Sequence, residues 1–224
     1  MNLLNFSEIL KSNLPVLFIA YVATWTGSYW INKLYAQEQD SDLLSFPEKI
    51  AQRARFRKPL LFLFLAACIS KAWGIAGGMQ VFYYVIATVL LIFVTITDFE
   101  QYVIFDSMLL PFAVAGVCYT LHMQLPITNH LAAALGGGLL FFLLTLLTKG
   151  AIGGGDIKLI AALGLWLGLR PLLSVIAYGF IAGGVAALLL LITKQKQRHD
   201  YFAYGPYFAI SGIGILLGWI QALF

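Results

Sequence analysis

Charged residues are scarce in this chain: 11% of 224, against 61% that are apolar. A soluble domain carries about a quarter charged residues. With a mean hydropathy of +0.87, the composition excludes a soluble domain and requires a polytopic membrane protein. Cysteine is scarcer still. Cys68 and Cys118 both lie inside apolar runs, too few for a disulfide framework or a four-cysteine zinc site, and read as packing residues. Of the three histidines, His122 and His130 are assigned to an outer loop and His199 to a basic inner one, without metal-ligand spacing. There is no Gly-x-Ser-x-Gly nucleophile turn and no phosphate-cradling loop. The net charge of +4 is spread over separate short loops, so no nucleic-acid surface is expected. No basic segment precedes the first apolar run, which begins near Leu14, and the N-terminus reads as uncleaved.

What the chain does have is long apolar runs. A helix needs about 20 such residues to cross the bilayer, and eight spans are predicted, over 14–32, 59–75, 80–97, 105–122, 131–148, 157–169, 171–193 and 206–224. The sixth is short, because 13 residues rise only about 20 Å and the hydrocarbon core is about 30 Å thick. Charge placement tests the count. With both termini outside, the inner loops hold Lys33, Lys49, Arg53, Arg55, Arg57, Lys58, Lys149, Lys158, Lys194, Lys196 and Arg198, and the outer side holds Lys11, Lys71 and Arg170. That is a positive-inside pattern. Dropping span six would send the basic run at 194–198 outside. The expected fold is therefore all-α, with eight transmembrane helices. Residues 1–58 form a first helix and a cytoplasmic loop, and 59–224 a membrane-embedded core. The basic end of the loop, Arg53 to Lys58, reads as a topology signal.

The acids carry the chemistry. Six of the ten lie in the tail or polar loops: Glu8, Glu38, Asp40, Asp42, Glu48 and Asp200. Four border hydrocarbon: Asp98, Glu100, Asp106 and Asp156. A carboxylate placed there is costly and signals function. Asp156 follows Gly153-Gly154-Gly155, where glycine permits close backbone approach; it is also a candidate cap for a helix beginning at Ile157. Asp98 ends an uninterrupted apolar run, whereas Asp106 suits the N-cap or first turn of span four. If the backbone between them were helical, Asp98 and Asp106 would stand about 12 Å apart along the axis, so each competes to partner Asp156, with Asp98 preferred. Glu100 reads as a solvated loop residue. In the eight-span topology Asp98 and Asp156 share the cytoplasmic face. A close carboxylate pair holds one proton between its members. It can deprotonate water while protonating a carbonyl, which is aspartyl peptide hydrolysis.

Three stretches carry a family resemblance. Gly153-Gly154-Gly155-Asp156-Ile157-Lys158-Leu159, with Ala161-Ala162-Leu163-Gly164 and Gly168 beyond it, resembles the second catalytic motif of the type IV prepilin peptidases. These are GxGD membrane aspartyl proteases related to the archaeal preflagellin peptidases. Ile96-Thr97-Asp98 with Ile104-Phe105-Asp106 resembles the first motif, and Tyr204-Gly205-Pro206-Tyr207 resembles a Phe-Gly-Pro-Phe turn before the last span. Gly27-Ser28-Tyr29 with Asn32 is a fainter match in the first span. The resemblance implies catalysis by Asp98 and Asp156, supported by Gly153, Gly155, Lys158 and Asp106, with Lys158 as a cation near the pair. It implies a prepilin or pseudopilin partner, held beside the bilayer and cut after a glycine that ends a short basic leader. Glu100 and Asp106 are expected to help receive that leader.

Two departures stand out. Phe105 occupies the usual proline position, and residues 33–58 contain no cysteine, whereas bifunctional members carry paired CxxC motifs associated with zinc and N-methylation. The expected cofactor set is therefore empty, with neither zinc nor S-adenosylmethionine. The rival readings are a proton-coupled transporter using the two aspartates as a relay, and an inactive scaffold of a pilus or secretion assembly. The single-face placement of both acids opposes the first, and the presence of both aspartates opposes the second.

Overall fold

A computed structural model describes residues 3–39, 41–150, 152–195 and 202–223, with only the helical backbone of 3–12. Asp40, Lys196, Arg198, His199 and Asp200, and the side chains of Glu8 and Lys11, lie outside the described residues.

Among the described residues the chain is all-helical. In order come α1 (Leu3–Gln37), a 3-10 turn (Pro47–Lys49), α2 (Ile50–Arg53), α3 (Arg57–Ile75), α4 (Met79–Gln101), α5 (Asp106–His122), α6 (Ile127–Leu147), α7 (Gly154–Leu167), α8 (Leu169–Ile192) and α9 (Gly205–Leu216). Helices are what an apolar chain must form where there is no water, because each satisfies its own backbone. Five stretches are long and apolar enough to cross a membrane: Asn13–Gln37, α3, α4, α6 and α8. Their outward positions carry Phe18, Leu63, Leu135, Leu147 and Ile181, which is how a lipid-facing surface looks. The chain is a multi-pass membrane protein.

α7 packs against α5, α6, α8 and α9. Small residues bring it close to α6. A Cβ on Gly164 would stand 2.5 Å from the Ala134 backbone nitrogen, and one on Gly138 3.3 Å from the Ala161 side chain. Such contacts replace the hydrophobic drive that lipid cannot provide. Gly168, with φ +75, turns the chain from α7 into α8 through one residue.

Three expectations change. α7 begins at Gly154, so Asp156 sits inside its first turn rather than before it. The last helix stops at Leu216 instead of running through 224. Gly218, at φ +66, folds the tail back, where Trp219 and Ile220 N–H groups donate to the Gly214 carbonyl and Leu223 N–H donates to Ser174 Oγ. His122 and His130 are helical rather than in a loop. His130 is buried and its Nδ1 donates to the Leu165 carbonyl at 2.9 Å, which makes it a satisfied core histidine.

Candidate active site

One end of the bundle gathers the end of α1, the end of α4, and the starts of α5 and α7 around a cavity of about 700 Å3. Asp98, Asp106, Gly153, Gly154, Gly155, Asp156 and Lys158 line it, with Glu38 and Tyr102.

Asp98 occupies the last full turn of α4 and is 5% exposed. Its carbonyl accepts the N–H of Tyr102, whose left-handed φ of 56 ends the helix. Residues 103–105 then lead to Phe105, the extended N-cap of α5. Asp156 comes from the opposite side of the cavity. Its carboxylate accepts a hydrogen bond from the backbone of Gly153, the N-cap of α7. An acid three residues into a helix, reaching back to its cap, is half of a capping box. Its Oδ1 is buried and has no hydrogen-bond partner among the described residues.

The two carboxylates meet at Gly205. A Cβ built there would lie 2.5 Å from Asp98 Oδ2 and 3.2 Å from Asp156 Oδ1. The two oxygens can be no further apart than those distances added, close enough for each charge to act on the other. Gly205 begins α9 and is buried; its backbone hydrogen-bonds the Asp98 carboxylate. A helix N-terminus there offers unsatisfied N–H groups and partial positive charge to the acids. Any side chain would fill the gap between the carboxylates and the turn. Gly155 has a similar constraint, with its Cβ direction 2.9 Å from Ile104.

The other acids are engaged elsewhere. Lys158 Nζ donates to both Asp106 oxygens at 2.7 and 2.8 Å, an exposed pair at the mouth of the cavity. Lys158 is thus partnered by Asp106, not set on the aspartate pair. Asp106 is a first-turn acid whose side chain caps nothing. Glu100 is not solvated: it is 6% exposed, and Arg57 Nε donates to its Oε1 at 2.8 Å. Arg57 is itself 2% exposed, so this member of the basic run is a buried structural charge and not merely a topology signal. Sequence reading missed both this pair and the contact of Gly205 with the acids. The unusual Tyr-Gly-Pro-Tyr turn was a signal for the second; nothing local marks the first, since its members are 43 residues apart.

Residues 33–58 hold neither cysteine nor histidine. Among the described residues no three metal-ligating side chains converge. Among the described residues of this segment nothing fits a structural zinc.

An all-helical membrane protein with two aspartates facing each other at one end of its bundle is the class these features define. Residues 85–188 match the type IV leader peptidase family, and the chain belongs to that family. It is 34% identical over 159 residues to a prepilin leader peptidase/N-methyltransferase of Neisseria gonorrhoeae, covering 68% of this chain and 52% of that one. It is 29% identical over 166 residues to a protein of the same name from Aeromonas salmonicida, covering 71% and 55%. A third, from Bacillus subtilis, is 29% identical over 157 residues, covering 66% and 61%. The matched region spans little more than half the length of these relatives. No solved structure matches the chain.

Proposed function

We propose that this protein is an aspartic endopeptidase that removes the leader from type IV prepilin or pseudopilin precursors, with Asp98 and Asp156 as its catalytic pair. The observation that carries the reading is the convergence of the two carboxylates on Gly205, in a cavity open at the end of an apolar bundle. Two carboxyl groups this close hold one proton between them. The ionised member takes a proton from water. The water oxygen attacks the scissile carbonyl carbon, and the protonated member gives its proton to the carbonyl oxygen. Collapse of the tetrahedral diol breaks the C–N bond as the carboxyl that took the water proton passes it to the amide nitrogen and the other recovers a proton from a diol hydroxyl, releasing an amine and a carboxylic acid.

The eight helices α1 and α3–α9 each cross the membrane in this reading, with both termini outside and the cavity at the cytoplasmic face of a bacterial inner membrane. The positive-inside charge pattern supports that orientation. The precursor's apolar segment lies beside the bundle and its basic leader enters the cavity. Glu100 is committed to Arg57 and Asp106 to Lys158. Among the described cavity acids outside the pair, Glu38 is therefore the one left to meet a cationic leader.

The test is cleavage of a co-expressed prepilin in a host lacking its own leader peptidase. Asp98→Asn and Asp156→Asn each abolish cleavage while the protein stays in the membrane. Cleavage at the wild-type level by either variant removes that residue from the mechanism.

A further inference from the structure

Three consecutive residues follow Asp98, and each is held by the segment that joins α1 to α3 or by the helix ends that flank it. The Phe99 carbonyl accepts a hydrogen bond from Arg53 Nη2 at 2.7 Å. Glu100 is held by Arg57 through Nε, at 2.8 Å to Oε1 and 3.1 Å to Oε2, and by the Tyr35 hydroxyl, which donates to Oε2 at 3.0 Å. Arg57 is fixed in turn by Asn32 Oδ1 and lies over the Tyr35 ring, 5.3 Å from its centroid. Gln101 pairs both ways with one backbone unit: Phe46 N–H donates to its Oε1 at 2.8 Å and its Nε2 donates to the Phe46 carbonyl at 3.1 Å. Ser45 N–H adds a bond to the Gln101 carbonyl. Arg53 also stacks on Phe46, 4.1 Å from the ring centroid.

The last turn of a helix ending beside a polar cavity is the part that frays, because its final carbonyls lack helical partners. Here that turn carries Asp98, and fixed geometry is what an acid pair needs to act on one water and one carbonyl. A buried, doubly bonded Arg–Glu pair is poor evidence of stability, since its desolvation offsets its attraction; its value is in fixing one arrangement.

We infer that the α1–α3 segment, with the end of α1 and the start of α3, is a clamp on the last turn of α4. Arg53, Arg57, Glu100 and Gln101 are positioning residues that set Asp98 against Asp156. This rests on the peptidase reading for its functional consequence, but the clamp itself is a statement about the α4 turn and can be measured without cleavage.

The test uses Arg53→Met and Gln101→Ala, singly and together. They remove bonds to backbone atoms without stranding a buried charge, as truncating Arg57 or Glu100 would. Tyr178→Phe is the control, because it removes the hydroxyl bond to the Gln221 carbonyl, at the far end of the chain. Each protein is purified in detergent. Cleavage of a purified type IV prepilin gives kcat and KM, and amide hydrogen exchange by mass spectrometry follows residues 96–102. In the double variant we expect kcat to fall at least about ten-fold with KM within about three-fold, the pattern of a lost transition-state geometry. Exchange at 96–102 rises at least about ten-fold while α6 is unchanged. The control matches wild type in both. Wild-type kcat in the double variant, or unchanged exchange at 96–102, overturns the clamp. A wild-type protein that leaves prepilin uncut overturns the peptidase reading instead, and the exchange data then decide the clamp alone.

Discussion

At the scale of single residues, the site depends on one position with no side chain. Gly205 leaves room for two carboxylates to approach the start of α9, and a methyl group there would stand 2.5 Å from Asp98 Oδ2. Gly205→Ala is therefore expected to lower kcat at least about 100-fold, the scale of a 1 Å displacement of a catalytic group. Membrane insertion persists, because the change is one methyl at a helix end. Undiminished turnover by purified Gly205→Ala enzyme would show that the turn is not in contact with the working pair. Asp106 predicts the opposite behaviour. Its bond to Lys158 is exposed on both sides, and such pairs contribute about 0–1 kcal/mol. Asp106→Asn is expected to keep most of its activity; a variant as inactive as Asp98→Asn would place Asp106 in the chemistry. The aspartates themselves stand out in the sequence, because a charge bordering hydrocarbon is conspicuous wherever it falls. The neighbours that dispose of Glu100 and Lys158 do not, because each partner comes from another helix: Arg57 lies 43 residues from Glu100, and Asp106 lies 52 from Lys158.

At the scale of elements, the contact between α6 and α7 decides where Asp156 stands. Gly164 abuts the backbone of Ala133 and Ala134, so a Cβ would sit 2.5–2.7 Å from backbone atoms that cannot rotate away. Gly164→Ala forces the two helices apart, and overpacking of this kind costs about 1–3 kcal/mol. The expected result is a lower melting temperature in detergent together with reduced cleavage, since α7 carries Asp156 in its first turn. An unchanged melting temperature would mean that the helices separate freely here. Helix positions were largely readable from the apolar runs, as α3, α4, α6 and α8 show. Helix ends were less so. The chain beyond Leu216 is apolar, and composition extends the helix through it. Gly218 reverses it instead, in bonds with Gly214 and Ser174 that only packing provides.

At the scale of the whole molecule, the relatives' names join two activities, peptidase and N-methyltransferase, and this chain spans just over half of their length. The segment between α1 and α3 hydrogen-bonds to α4 through Phe46 and Arg53, and it contains no cysteine or histidine. Pilin matured by this protein alone is expected to carry a free N-terminal amine by mass spectrometry, with cleavage that survives a chelator. A methylated product, with no other methyltransferase present, would reveal a cofactor site outside those described. The sequence by itself determined that the chain is helical and membrane-embedded, and that Asp98 and Asp156 are its conspicuous acids. Both follow from the cost of placing backbone and charge in hydrocarbon, which each residue bears locally. Only the tertiary structure decided which groups surround them: Gly205 between the carboxylates, Lys158 on Asp106, and Arg57 on Glu100. Those contacts join residues far apart in the chain, and helix packing, with small residues allowing close approach, brings them together.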